Sequence, residues 1–170
     1  MTISADEFKN YAVVQDIFKE NIDDYYSGSV FQPLKQLSSK KKGKYFESIF
    51  EEYCVGKGKK VDKPLNSDHD RIVDGLKVEV KGSFIWSGST NFRWQQIRPA
   101  QDYDIMVFIA VYHSSIEFYS ATKDTVTKYV QVQNEKGEWI HNQHGGKRVN
   151  SGTFFLDGVP EDYTWMKKYN

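Results

Sequence analysis

Apolar residues recur along this chain in two rhythms, one helical and one alternating, and the changes of rhythm divide it into elements. Ser4 with Glu7 three residues later forms a capping-box pattern. Phe8, Tyr11, Ala12, Val14 and Phe18 follow at roughly helical spacing, which predicts a helix over residues 4–20. The stretch from Asn21 to Lys44, with Gly28, Pro33, several serines and the run KKKGK, reads as a loop with room for a short helix. From about Lys44 to Val55 the stripe of Tyr45, Phe46, Ile49, Phe50 and Tyr53 predicts a second helix, stopped by Gly56 and Gly58.

Beyond the basic loop KGKKVDKP the period falls to two. In DRIVDGLKVEVKGS the alternation is interrupted only by Asp74-Gly75, the two-residue turn favoured in hairpins. NFRWQQIR, ended by Pro99, is expected to be a short helix, and DIMVFIAVY a buried central strand. SIEFYSA reads as the hairpin partner of that strand and TKDTVTKYV as another short helix. The tail holds a loop, HNQHGGKRVNSG, and a strand, TFFLD. Together these predict an α/β (α+β) domain with a mixed central sheet of about four to five strands flanked by helices.

A length of 170 residues, 39% hydrophobic and 15% aromatic, suffices for one core but is short for two. The expectation is therefore a single domain over 1–170, with its core at about 43–130 and a C-terminal loop and strand over 139–157. The formal net charge is +0, yet Lys35 to Lys63 holds nine lysines against four acids, a local excess of five positive charges. Such a cluster suits a polyanion, and equally a solvated loop. Cys54 is the single cysteine, which excludes an internal disulfide and an all-cysteine zinc site and fits a reducing compartment. No apolar stretch approaches the roughly 18 residues of a membrane span, and the start MTISADEFKN is acidic, so a cytoplasmic protein is expected.

With Asp74 and Gly75 as the turn, Val73 faces Leu76, Ile72 faces Lys77, Arg71 faces Val78 and Asp70 faces Glu79. Directly opposed residues of an antiparallel pair share one side of the sheet, with Cβ atoms about 4.5–5.5 Å apart. Two carboxylates should therefore meet. Alternation puts Lys81 on the same face and sends Val73, Leu76, Val78 and Val80 to the other. Uncompensated like charges in that position are destabilising and should raise one pKa. A hard divalent cation, which takes one or two carboxylates plus water and phosphate oxygens, would compensate them. Lys81 alone would do so in part, so a purely structural Asp-Glu-Lys cluster is the competing reading.

Asp70 followed by Glu79-Val80-Lys81 resembles the core motif of the PD-(D/E)XK nucleases, the superfamily of most type II restriction endonucleases together with repair nickases and junction resolvases. The likeness extends from about Gly43 to Tyr119, although His69 stands where a proline often precedes the aspartate. It implies a restriction-endonuclease-like fold and Mg²⁺, or Mn²⁺ in its place, held by Asp70 and Glu79 at the scissile phosphate. It further implies that Lys81 orients the water or stabilises the transition state. Glu47, on the helix before the hairpin, is similar to the glutamate that joins the metal site in several such enzymes. Gln95 or Gln96 resembles the polar residue that follows the E-x-K strand on a helix. A solvated helix face for Glu47 and a surface position for the glutamines are the alternatives.

The function so implied is metal-dependent hydrolysis of double-stranded DNA, with a restriction enzyme as the first choice. Structure-selective or repair nucleases of the same fold, RNA cleavage and a non-catalytic DNA-binding module are the alternatives. Candidate DNA contacts are Lys41, Lys42, Lys44, Arg71, Ser83, Arg93, Gln95, Arg98, Lys147 and Arg148, residue types that suit phosphates or base edges. Cutting both strands of a palindrome would favour a homodimer. His141-Asn142 and His144 invite comparison with HNH nucleases, but no second cluster of metal ligands follows at suitable spacing.

Overall fold

A computed structural model describes residues 2–11, 25–86, 88–143 and 152–170. Its elements in chain order begin with helix α1 (Ala5–Lys9), the short helix α2 (Gln32–Lys35) and the long helix α3 (Ser39–Gly56). Strands β1 (Val61–Asp62), β2 (Arg71–Val73), β3 (Leu76–Phe84), β4 (Phe92–Ile97), β5 (Ile105–Val111) and β6 (Ile116–Thr122) follow. Helix α4 (Lys123–Val130), strand β7 (Phe154–Gly158), a 3-10 turn (Pro160–Asp162) and strand β8 (Lys167–Lys168) complete the chain.

The main sheet has six strands in the order β1-β2-β3-β5-β6-β8, and β4 pairs with β7 in a separate two-stranded ribbon. Only β3 and β5 run parallel; the other neighbours are antiparallel, so the sheet is mixed. Strand β5 lies between β3 and β6, which is why IMVFIAV is buried along nearly its whole length. Its Val107, Ile109 and Val111 join Val78, Val80 and Phe84 of β3 under Phe46 and Phe50 of α3. On the opposite face Met106, Phe108 and Ala110 pack with Trp94, Leu156 and the α4 residues Val126 and Val130. These clusters reach well outside residues 43–130, taking in Tyr26 at one end and Met166 at the other.

The fold is the expected mixed α+β class, with differences that have physical causes. Two of the six strands have two residues each, too short to register as an alternating pattern. Helix α3 starts at Ser39 rather than Lys44, because the Ser38 hydroxyl accepts the Lys41 amide at 3.4 Å and lysine itself is a good helix former. The KKKGK run is thus helix, not loop. NFRWQQIR is strand β4, not a helix: Phe92, Trp94 and Ile97 all turn to the core, with a register shift between Trp94 and Ile97 and a left-handed Gln96 (φ 57°) supplying the extra residue. The Ser4–Glu7 capping box forms reciprocally, at 2.8 and 3.1 Å. The remainder of the helix expected over 4–20 lies largely outside the described residues. Among the described residues no helix is long and apolar enough to cross a membrane.

Candidate active site

The hairpin folds in the register that the Asp74-Gly75 turn dictates, Val73 with Leu76, Ile72 with Lys77 and Arg71 with Val78. Both turn residues take positive φ (49° and 87°), as a two-residue turn of this kind requires. At Asp70 the ladder slips. Its amide donates to the Val78 carbonyl at 2.9 Å, the residue already paired with Arg71, so the strand bends out of line there. The Asp70 carboxylate then accepts the Val80 amide at 2.7 Å, a donor that β2 is too short to reach.

His69 anchors this bend. It is 2% exposed; its Nδ1 lies 3.2 Å from the Asp102 carbonyl, and its Nε2 accepts the Leu65 amide at 3.2 Å. Together these contacts require the tautomer protonated on Nδ1. The histidine is a brace between two loops and holds the residue before Asp70 in place.

Glu79 is 5% exposed, with Lys81 Nζ 2.6 Å from its Oε1. Burial pushes its carboxyl up to about 7, against the pull of the Lys81 ammonium, and the Asp70 charge and a hydrogen bond with the Asp70 carboxyl raise it further. Desolvation outweighs the ion pair, as expected when both charges leave water. The two carboxyls and the ammonium therefore share one place, at the edge of β3 just past the end of β2.

Glu47 approaches from α3. Its carboxyl is raised by burial and by Asp70, and Arg71 counters this from 3.3 Å. Arg71 is itself taken up within the chain, by Glu51 at 2.6 Å and by the Asp70 carbonyl at 2.6 Å. Helix α3 can come this near because Gly82 has no side chain: a Cβ there would sit 2.2 Å from the Phe46 ring.

Asp70, Glu79, Lys81 and Glu47 line a cleft of about 810 Å³, together with Ser83, Arg93, Gln95 and Gln96 of β3 and β4. Lys42 and Lys44 border it from the N-terminal half of α3. Gln96 also receives support from outside the cleft, its amide donating to Gln143 Oε1 at 2.6 Å. Lys41 and Arg98 are exposed and do not line the cleft, while Lys147, Arg148 and His144 lie outside the described residues. Lys35 and Lys40, which the sequence placed only within the basic cluster, also line the cleft, as does Trp86. The unbroken helical span from Ser39, signalled by Ser38 before the lysine run, is what brings Lys40 in.

The donor set suits a hard cation: it offers only oxygens, from two acids under mutual repulsion. Among the described residues no group of three His, Cys, Asp or Glu side chains forms a metal cage. Mg²⁺ does not need one, since waters and phosphate oxygens usually complete its shell.

No known family pattern matches the sequence, and no curated protein matches it. Among solved structures, a bacterial homing endonuclease overlays 59% of this chain and 82% of its own, with a TM-score of 0.47 and 22% sequence identity.

Proposed function

We propose that this protein is a metal-dependent DNA endonuclease that hydrolyses phosphodiester bonds, with Asp70 and Glu79 holding Mg²⁺ or Mn²⁺. One observation carries the reading: two facing carboxyls, one of them raised to about 7, and an ammonium 2.6 Å away, in a lysine-bordered cleft. Burial leaves the Glu79 carboxyl short of compensating positive charge even beside Lys81, and a bound cation would supply it. When bound, the cation would neutralise phosphate charge and make a water a better nucleophile.

The chain's own groups divide the remaining work. Val80 N–H fixes the Asp70 carboxylate, so it does not reorganise as substrate arrives. Lys81 carries a compact, mobile charge that can leave Glu79 for the attacking water or the transition-state oxygens. Lys42 and Lys44 hold the flanking phosphates, and Gln95 and Gln96 reach the same strand from β4. Glu47 adds negative potential from behind and would serve as an outer metal partner once Arg71 yields. A restriction-type enzyme and a structure-selective or repair nuclease would share this chemistry; the former would act as a homodimer on duplex DNA.

Supercoiled plasmid with Mg²⁺ tests it, beside Asp70→Asn, Glu79→Gln and Lys81→Met and with a chelator control. Wild type should nick or linearise the plasmid. Each variant should lose roughly 10²–10³-fold of the rate, and the chelator should stop the reaction. Cleavage that survives the chelator, or equal rates for wild type and variants, rules out the assignment.

A further inference from the structure

Trp86 stands at the rim of the cleft and is 47% exposed. It is not loosely placed. Its amide donates to the Asn91 carbonyl at 3.0 Å, and its carbonyl accepts the Ser89 amide at 3.0 Å. Beneath the indole lies the Arg93 guanidinium, 4.5 Å from the ring centroid. Arg93 is fixed in turn by Asp157 at 2.6 Å, and it sits 5.2 Å from the Phe155 centroid. Its amide donates to the Ser83 hydroxyl at 2.9 Å. The result is a stack of ring, cation and ring whose outermost member is half in solvent. Arg93 Nε, buried in this stack, finds no acceptor among the described residues.

A ring backed in this way is a flat surface prepared in advance, which lowers the ordering cost of whatever lands on it. The surrounding charge fixes the sign of the ligand: Lys35, Lys40, Lys42 and Lys44 border the same cleft. An aromatic platform in a cationic groove matches a polymer of phosphates and flat bases whose bases are free to stack. Paired bases inside a duplex have both faces covered already and gain nothing from an indole.

We infer that the cleft takes DNA with a base unpaired next to the scissile phosphate, that base lying on Trp86 and the phosphates along α3. The substrate class is thus single-stranded, flapped or frayed DNA rather than intact duplex. This rests on the nuclease reading above only for its assumption that DNA enters the cleft.

The test is fluorescence anisotropy of the whole chain in chelator, with a fluorescein-labelled oligothymidylate of about 20 nucleotides and a blunt duplex of equal length, for wild type, Trp86→Ala and Trp86→Phe. Wild type should bind the single strand at least about tenfold tighter than the duplex, and Trp86→Ala should weaken the single strand by roughly 5- to 150-fold. Trp86→Phe should restore most of that loss, and duplex affinity should change by less than about twofold. Equal or tighter duplex binding by wild type overturns the inference, whether or not Trp86→Ala folds. So does a Trp86→Ala loss shared equally by both ligands, or a Trp86→Phe variant as weak as Trp86→Ala. Because no cutting is read, the two proposals fail separately. Strand preference with no Mg²⁺-dependent cleavage of either the plasmid or the single strand refutes the nuclease alone, and cleavage with duplex preference refutes the platform alone.

Discussion

Replacing Glu79 by glutamine should make the metal-free protein more stable, and by an amount that depends on pH. The folded carboxyl keeps its proton to about 7 instead of the ordinary 4.5. Between those values the native state binds more protons than the unfolded chain, so wild-type stability falls as pH rises through that window. Above it, the full displacement corresponds to about 3 kcal/mol. At about pH 5 less than about 1 kcal/mol of this cost remains, since the native carboxyl is then protonated. The attraction of Lys81 is already contained in the raised value, so glutamine, which resembles the neutral carboxyl at every pH, escapes the cost without a separate correction. Urea unfolding at about pH 5 and about pH 8 should show Glu79→Gln ahead by less than about 1 and by about 3 kcal/mol respectively, the latter worth roughly 6–12 °C in Tm for a chain of this size. Added Mg²⁺ should recover part of the difference for wild type, about 2.7 kcal/mol at a hundred times its Kd, and do little for the variant. Wild-type and variant stabilities that run parallel across this pH range would refute the argument that burial defeats the Lys81 ion pair.

Three further outcomes are expected. Gly82→Ala drives a methyl into the Phe46 ring and should lower stability by about 1–3 kcal/mol, readable by urea titration; an unchanged midpoint would mean that α3 is free to move off the sheet. His69→Ala removes both braces and leaves the Leu65 amide without its acceptor, so a loss of about 2–4 kcal/mol is expected together with slower plasmid cleavage; cleavage at the wild-type rate would separate the brace from Asp70. Lys42→Gln and Lys44→Gln should each reduce the slope of log affinity for DNA against log salt by roughly 0.7–0.9 in a binding titration, and a slope that does not move would place the DNA elsewhere.

Much of the site was legible because its geometry is local. A two-residue turn fixes register, and register fixes which side chains share a face, so Asp74-Gly75 alone brings Glu79 and Lys81 to one side and Val78 and Val80 to the other. What escaped depended on distant parts of the chain. The slip at Asp70 arises because β2 stops after Val73 to Arg71, whereas β3 runs on to Phe84, a difference no periodicity reveals. Phe92, Trp94 and Ile97 satisfy helical and bulged-strand spacing equally well, and pairing with Leu156 and Phe154 decides between them. Arg71 looked available for a phosphate until α3 presented Glu51 and Glu47 to it. The backing of Trp86 by Arg93, and of Arg93 by Phe155, likewise depends on the pairing of β4 with β7.

The unequal lengths of β2 and β3 have another consequence. Where β3 outruns its neighbour, its backbone would otherwise offer hydrogen bonds to any extended peptide passing by, the usual route to edge-to-edge self-association. The Asp70 carboxylate occupies one of those bonds and surrounds it with charge. The proposed catalytic group and the protection against aggregation would then be the same atoms. An alanine at this position would strip both, so an insoluble Asp70→Ala preparation would say little about catalysis, and asparagine, which retains an acceptor for Val80, is the better control.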